Sequence, residues 1–209
     1  MYRFVIAFIA AILLPVAAVA KDEPLQVVVL GDSLSAGYQL PPEEAFPAQL
    51  QKALRDRGHA VTVVNAGVSG DTSSGGLSRL DWSVGAKASA VILELGANDA
   101  LRGISPEVTR KNIDAMVNRL SERGVDVLVA GMLAPRNLGD EYAAAFDPIF
   151  ADVAEAHGAL HYPFFLEGVA LDPKLNLADG MHPNGEGVSV IVSNMLPVVE
   201  ELLARAAAR

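Results

Sequence analysis

Five short runs of largely branched apolar residues punctuate the chain, at Gln26–Leu30, Val61–Asn65, Ala90–Leu95, Val125–Gly131 and Leu160–Pro163. None alternates polar with apolar residues as a strand with one wet face does. Each reads as a strand covered on both faces. Between them lie stretches of helical character at Pro47–Arg57, Gly75–Val84, Pro106–Arg123, Glu141–His157 and Gly187–Ala206. Ser105-Pro106-Glu107 supplies an N-cap followed by proline at the first helical position, and Arg123-Gly124 supplies the stop. Strand–helix alternation of this kind implies an α/β chain with a parallel sheet and helices on both faces. With 51% apolar residues among 209, there is material for one large core.

In open sheets of this type the ligand lies beyond the carboxyl ends of the strands. The first strand is followed by Gly31-Asp32-Ser33, the second by "NAGVSGDTSSGG" (65–76) and the third by "GANDALRG" (96–103). The fifth is followed, after a longer loop, by "LADGMHPNGEG" (177–187). Polar, glycine-rich segments thus gather on one rim. Ser33 at the end of a strand has three readings: a helix cap, part of an anion-binding loop, or a nucleophile held at the sheet edge.

The other residues on the rim favour the third. A serine hydroxyl attacks poorly until a base takes its proton, and imidazole is suited to that near neutrality. Of the four histidines, His59 lies in a polar turn and reads as a surface residue. His157 and His161 are split between a helix end and a strand, which does not suit a shared metal. His182 lies in "DGMHP", three residues after Asp179, so one tight loop can present both, with Gly180 giving the backbone its freedom. A carboxylate in that place fixes the imidazole tautomer and stabilises the imidazolium. Three donors are then available for charge developing on a substrate oxygen: the Ser33 N–H, the Gly70 N–H and the Asn98 side-chain amide. Gly70 and Asn98 could each be plain turn residues, but their position on the same rim favours the site.

Gly31-Asp32-Ser33-Leu34, Gly70 within "SGDTS", Gly96-Ala97-Asn98-Asp99 and Asp179-x-x-His182 resemble, in order, the four blocks of the SGNH (GDSL-type) hydrolase family. "NAGVSGDTSSGGLSRL" and "FFLEGV" further resemble its exported bacterial arylesterase, acyl-thioesterase and lysophospholipase branch. The resemblance implies a flavodoxin-like α/β/α sandwich and a serine hydrolase of carboxylic esters or thioesters that needs no cofactor or metal. It implies Ser33 as nucleophile, His182 as base, Asp179 as orienting acid, and Ser33, Gly70 and Asn98 as the oxyanion hole. The expected partner is a small acyl ester or thioester, with transient lipid contact possible and a monomeric chain.

Rival readings fit less well. The Gly-x-Ser-x-Gly elbow of α/β-hydrolases is absent, since Ser35 stands where the second glycine belongs. A metal-dependent phosphoesterase could draw on Asp32, Asn98, Asp99 and His182. A non-catalytic anion binder could use Gly31-Asp32-Ser33, but has no use for the Asp179–His182 pair and would set Asp32 against its anion. The net charge of −9 argues against a nucleic-acid partner, and the lack of cysteine excludes disulfides, thiolate nucleophiles and cysteine-bound zinc.

Two expectations remain. Arg3, an apolar run over residues 4–20 and Ala18-Val19-Ala20 before Lys21-Asp22-Glu23 read as a signal peptide cleaved after Ala20. The mature protein is then one exported domain over residues 21–209, and no later run reads as long enough to cross a bilayer. The segment "GMLAPRNLGDEYAAAFD" (131–147) is a candidate wall for an acyl groove, through Met132, Leu133, Pro135, Leu138 and Tyr142. Arg102 and Arg136 are candidates to face an anionic head group.

Overall fold

The computed structural model describes residues 23–209; the signal-peptide reading and its cleavage site lie outside them. The five apolar runs form β1 (Leu25–Gly31), β2 (Val61–Asn65), β3 (Ala90–Glu94), β4 (Asp126–Ala130) and β5 (Leu160–Tyr162). They pair in one parallel sheet of order β2-β1-β3-β4-β5. That is the flavodoxin-like strand order, and its switch point lies between β1 and β3. Every residue of β3 is buried, whereas β2, at one edge, is mostly half-buried. The continuous apolar reading therefore suits the central strands better than the edges.

The longer helices are α2 (Phe46–Asp56), α3 (Ser73–Ser83), α5 (Pro106–Glu122), α7 (Ile149–His157) and α8 (Gly185–Ala207). α2 and α8 pack together over one face of the sheet, and α3, α5 and α7 over the other. Phe46 and Phe165 meet edge to face at 5.1 Å on the first side, with Phe146 and Phe150 a similar pair at 5.6 Å. All four rings are buried. Removing one such ring typically costs about 3–5 kcal/mol, through lost burial and the cavity left behind.

Two local readings are corrected, for 141–157 and for α8, and those of Ser105 and His59 each gain a partner. The helix expected over 141–157 is two: α6 (Asp140–Phe146) and α7, broken at Asp147-Pro148. Asp147 keeps helical φ and ψ, but Pro148 has no N–H to donate to the preceding turn, and the ladder of hydrogen bonds is interrupted there. Ser105 does occupy the N-cap of α5, but its hydroxyl bonds the Glu107 carboxylate rather than a helix amide. α8 is apolar and long enough to span a bilayer, yet half of that stretch is buried, with Val188, Ile191, Met195, Val199 and Leu202 in the core. His59 is not a free surface residue: it pairs with Glu200 of α8 at 3.0 Å.

Candidate active site

Two short helices absent from the sequence reading begin at the switch point. α1 (Ser33–Ala36) starts where β1 ends, and α4 (Ala97–Leu101) starts just past β3. The Asp32 carboxylate caps α1 by accepting from Leu34 N at 2.9 Å. Ser33 is thus the first residue of a helix, and its own N–H has no intrahelical acceptor. The helix cap is therefore supplied by Asp32 rather than by Ser33, whose side chain is left for another role.

The loop before α8 delivers the histidine. Leu177 N donates to His182 O at 2.7 Å and Asn184 N to Leu175 O at 2.9 Å, which closes the loop on itself. Gly180, at φ +68°, makes the turn between Asp179 and His182 in a region that strains residues with a Cβ. Asn184 ends the loop by capping α8, accepting from Glu186 N and Gly187 N. Asp179 Oδ1 accepts from His182 N at 3.0 Å and Met181 N at 2.9 Å, and Oδ2 contacts His182 Nδ1 at 2.7 Å. Those backbone donors, with the imidazole, hold the Asp179 carboxyl down to about 2. An ionised carboxylate can only accept, so the proton sits on Nδ1 and Nε2 is left as an acceptor. Ser33 Oγ lies 3.0 Å from Nε2. Serine, histidine and aspartate form one hydrogen-bonded chain at the rim.

Ser33 and His182 open onto a cavity of about 360 Å³. Gly70 and Asn98 line it with them, and Asp179 joins them through His182, so every residue expected in the site is brought to one place. Asn98 is not in a local turn of its own: its Nδ2 donates to Asp32 Oδ2 at 2.9 Å. Asp99, a candidate ligand in the phosphoesterase reading, is turned away. Its carboxylate is buried against Ser73 and Thr109, tying α4 to the start of α3.

The cavity walls are apolar. Of the candidate wall residues, Met132, Leu133 and Pro135 line it, while Leu138 and Tyr142 do not. Tyr142 stacks on Phe146 and donates to Ile104 O. Phe164, Leu166 and Met181 complete the wall and were not anticipated. Neither arginine lines the cavity: Arg102 donates to Gly70 O at 2.7 Å and Arg136 pairs with Asp147 at 2.9 Å. Tyr38, also missed, packs its ring 4.4 Å from that of His182. It follows the GDSL segment in sequence, but nothing local marks a contact made across 144 positions.

The family described as GDSL-like lipase/acylhydrolase matches residues 29–190, from within β1 to within α8. The chain belongs to that family. It is similar to an arylesterase of Vibrio mimicus, 40% identical over 168 residues that cover 80% of this chain and 84% of the relative. The esterase TesA of Pseudomonas aeruginosa is 39% identical, covering 85% and 89% of the two chains. Thioesterase 1/protease 1/lysophospholipase L1 of Escherichia coli is 34% identical over 97% and 95%. Among solved structures, a crystal structure of TesA aligns with TM-score 0.80 at 38% identity, over 85% of this acylhydrolase-family chain and 99% of its own. AlinE4, an SGNH-hydrolase family esterase, aligns with TM-score 0.73 at 42% identity, over 87% and 97%.

Proposed function

We propose that the chain hydrolyses carboxylic esters and thioesters through an acyl-serine intermediate. The observation that carries this is the continuous Ser33–His182–Asp179 chain, 3.0 and 2.7 Å long at its two links, at the mouth of an apolar cavity. Ser33 Oγ attacks the acyl carbon as its proton passes to His182 Nε2. The substrate oxygen takes the charge and is met by the Ser33 and Gly70 N–H groups and the Asn98 amide. The tetrahedral intermediate collapses, and His182 returns the proton to the departing alcohol or thiol. A water molecule then attacks the acyl-serine by the same route, releasing the acid and restoring Ser33.

A fluorophosphonate tests this directly, because phosphonylation needs an activated hydroxyl. One equivalent is expected on Ser33, with complete loss of turnover and no protection by EDTA. A label on another serine, or turnover that survives full labelling, overturns the assignment.

The wall formed by Met132, Leu133, Phe164 and Leu166 supports an acyl chain as the part of the substrate that is buried. Lengthening that chain removes more apolar area from water, at roughly 0.8 kcal/mol per methylene. In a panel of p-nitrophenyl esters, kcat/KM is expected to rise from acetate to medium-chain esters. A lysophospholipid and an acyl-CoA assayed beside them rank the leaving groups, and a flat profile argues against an acyl-binding wall.

The N-terminal segment supports export. Protein recovered from the envelope fraction is expected to begin at Lys21, following the small residues Ala18 and Ala20. A mature chain that retains Met1 and partitions with membranes instead indicates an anchor.

A further inference from the structure

Beneath Ser33 lie two acidic side chains for which the chemistry above has no use. Asp32 follows β1 and Glu94 ends β3, and both are fully buried. The parallel register sets Gly31 beside Glu94. The approach is close: Asp32 N donates to Glu94 Oε2 at 3.2 Å. Gly31 makes room for it, since a Cβ there would stand 2.5 Å from Glu94 Oε2 and 2.1 Å from Ser35 Oγ.

Two carboxyl groups buried at neighbouring strand ends in this way cannot both stay ionised without a cation. The titratable and charged groups that face them are Asp71 from the loop before α3, Arg79 from α3 itself and the neutral imidazole of His182 from the loop before α8. The Arg79 guanidinium is engaged elsewhere, with Asp71 at 2.7 Å, Ala66 O at 2.7 Å and Gly31 O at 2.9 Å. One negative charge is therefore available to two groups.

The hydrogen bonds decide which group carries it. Asp32 uses both oxygens as acceptors, from Leu34 N and from Asn98 Nδ2, each at 2.9 Å. Glu94 Oε1 and Ser35 Oγ have no formed hydrogen bond among the described residues, although the Ser35 side chain faces the Glu94 carboxyl. Ser35 Oγ can pair with Glu94 Oε1 whichever of the two holds the proton, so the two donors fixed on Asp32 make Glu94 the neutral partner.

We propose that Glu94 is a protonated carboxylic acid and thereby a positioning residue: by staying neutral it leaves the one buried negative charge on Asp32, which holds the Asn98 amide. The idea rests on Asn98 acting as an oxyanion donor. Burial agrees with this order, pushing Asp32 up to about 6 and Glu94, which also feels Asp32, well above the ordinary carboxyl range. A single charge orients Asn98 and faces the imidazolium of His182. A second would oppose the oxyanion at short range.

Side-chain carboxyl ¹³C shifts of the wild-type protein, titrated through neutrality, read the proton directly. One glutamate is expected to remain protonated at neutral pH while one aspartate titrates near 6. Glu94→Gln should remove the first signal and Asp32→Asn the second. A Glu94 carboxyl found ionised at neutral pH in the wild type overturns the proposal, whatever the variants do. In kinetics, Asp32→Asn is expected to lower kcat about tenfold, with KM changed less than about twofold. Glu94→Ala should lose about as much, and Glu94→Gln should recover it, because the amide is a neutral isostere that still donates. Failure of Glu94→Gln to recover turnover, in protein that folds, also overturns it. If Asn98→Ala leaves kcat unchanged, the oxyanion reading fails and the catalytic link with it; the protonation state of Glu94 is a separate result.

Discussion

His182→Ala is expected to lower kcat by on the order of 10⁵–10⁶, with KM changed little. The serine hydroxyl then keeps its proton as it attacks, and the leaving group has no acid to protonate it. What survives is catalysis by the oxyanion donors and by binding alone. The fold should be unaffected, because His182 sits in a loop and its backbone contacts, Leu177 N to His182 O and His182 N to Asp179 Oδ1, do not need the ring. Initial rates on a p-nitrophenyl ester, with the thermal midpoint from the same preparation, check both halves. A loss below about tenfold would mean that another base reaches Ser33.

Acid does not disarm the pair from the Asp179 side. Its carboxyl sits at about 2 in the folded protein, below its ordinary value. A lowered carboxylate contributes stability that is full above its unfolded value and is lost only as pH falls through the folded one. The side chain is 40% exposed, so solvent screens that contribution and keeps it small. The orientation of His182 is nevertheless expected to persist well below neutrality. An acid limb in the rate profile then reports proton uptake elsewhere in the site.

Asn98→Ala is the second large effect, expected to lower kcat by about 10²–10³ while KM stays nearly constant. An amide aimed at the oxyanion binds more strongly as charge accumulates, so its loss falls on the transition state. An Asn98 that served the oxyanion alone would be lost without cost to stability. The structure alters that expectation, because the Asn98 amide also donates to Asp32 Oδ2 in a buried place. Removing it strands the acceptor, at about 1–3 kcal/mol. For a chain of this size that is a fall of roughly 2–12 °C in thermal midpoint. Turnover per folded molecule separates the two contributions, and a destabilised mutant with normal kcat would leave Asn98 a purely structural residue.

The parts legible in the sequence were those written locally. β3 reads as a strand because five consecutive buried residues need no alternation, and Asp179 and His182 read as a pair because three positions separate them. Even Pro148 carried enough local information to split α6 from α7, through the backbone N–H it lacks. α1 and α4 were missed for a different reason. Four or five residues are too few to show helical periodicity, and packing at the switch point stabilises them. Glu94 was absorbed into an apolar run, since nothing in "AVILEL" says that its carboxyl is buried beneath Ser33. Tyr38, Arg102 and Arg136 take their roles from tertiary partners. A pairing such as Arg136 with Asp147, or a ring laid over His182, leaves no periodic trace.

The hydrogen bond between Ser33 and His182 joins residues 149 positions apart, from the first strand and from the loop that precedes the last helix. During synthesis, Ser33 therefore exists long before the imidazole it contacts. A chain shortened ahead of Asp179 carries Ser33, Gly70 and Asn98 but lacks the imidazole that, on the proposed mechanism, removes the proton. Turnover begins only when the final loop closes over the sheet edge, so hydrolytic activity counts complete molecules and is silent on fragments.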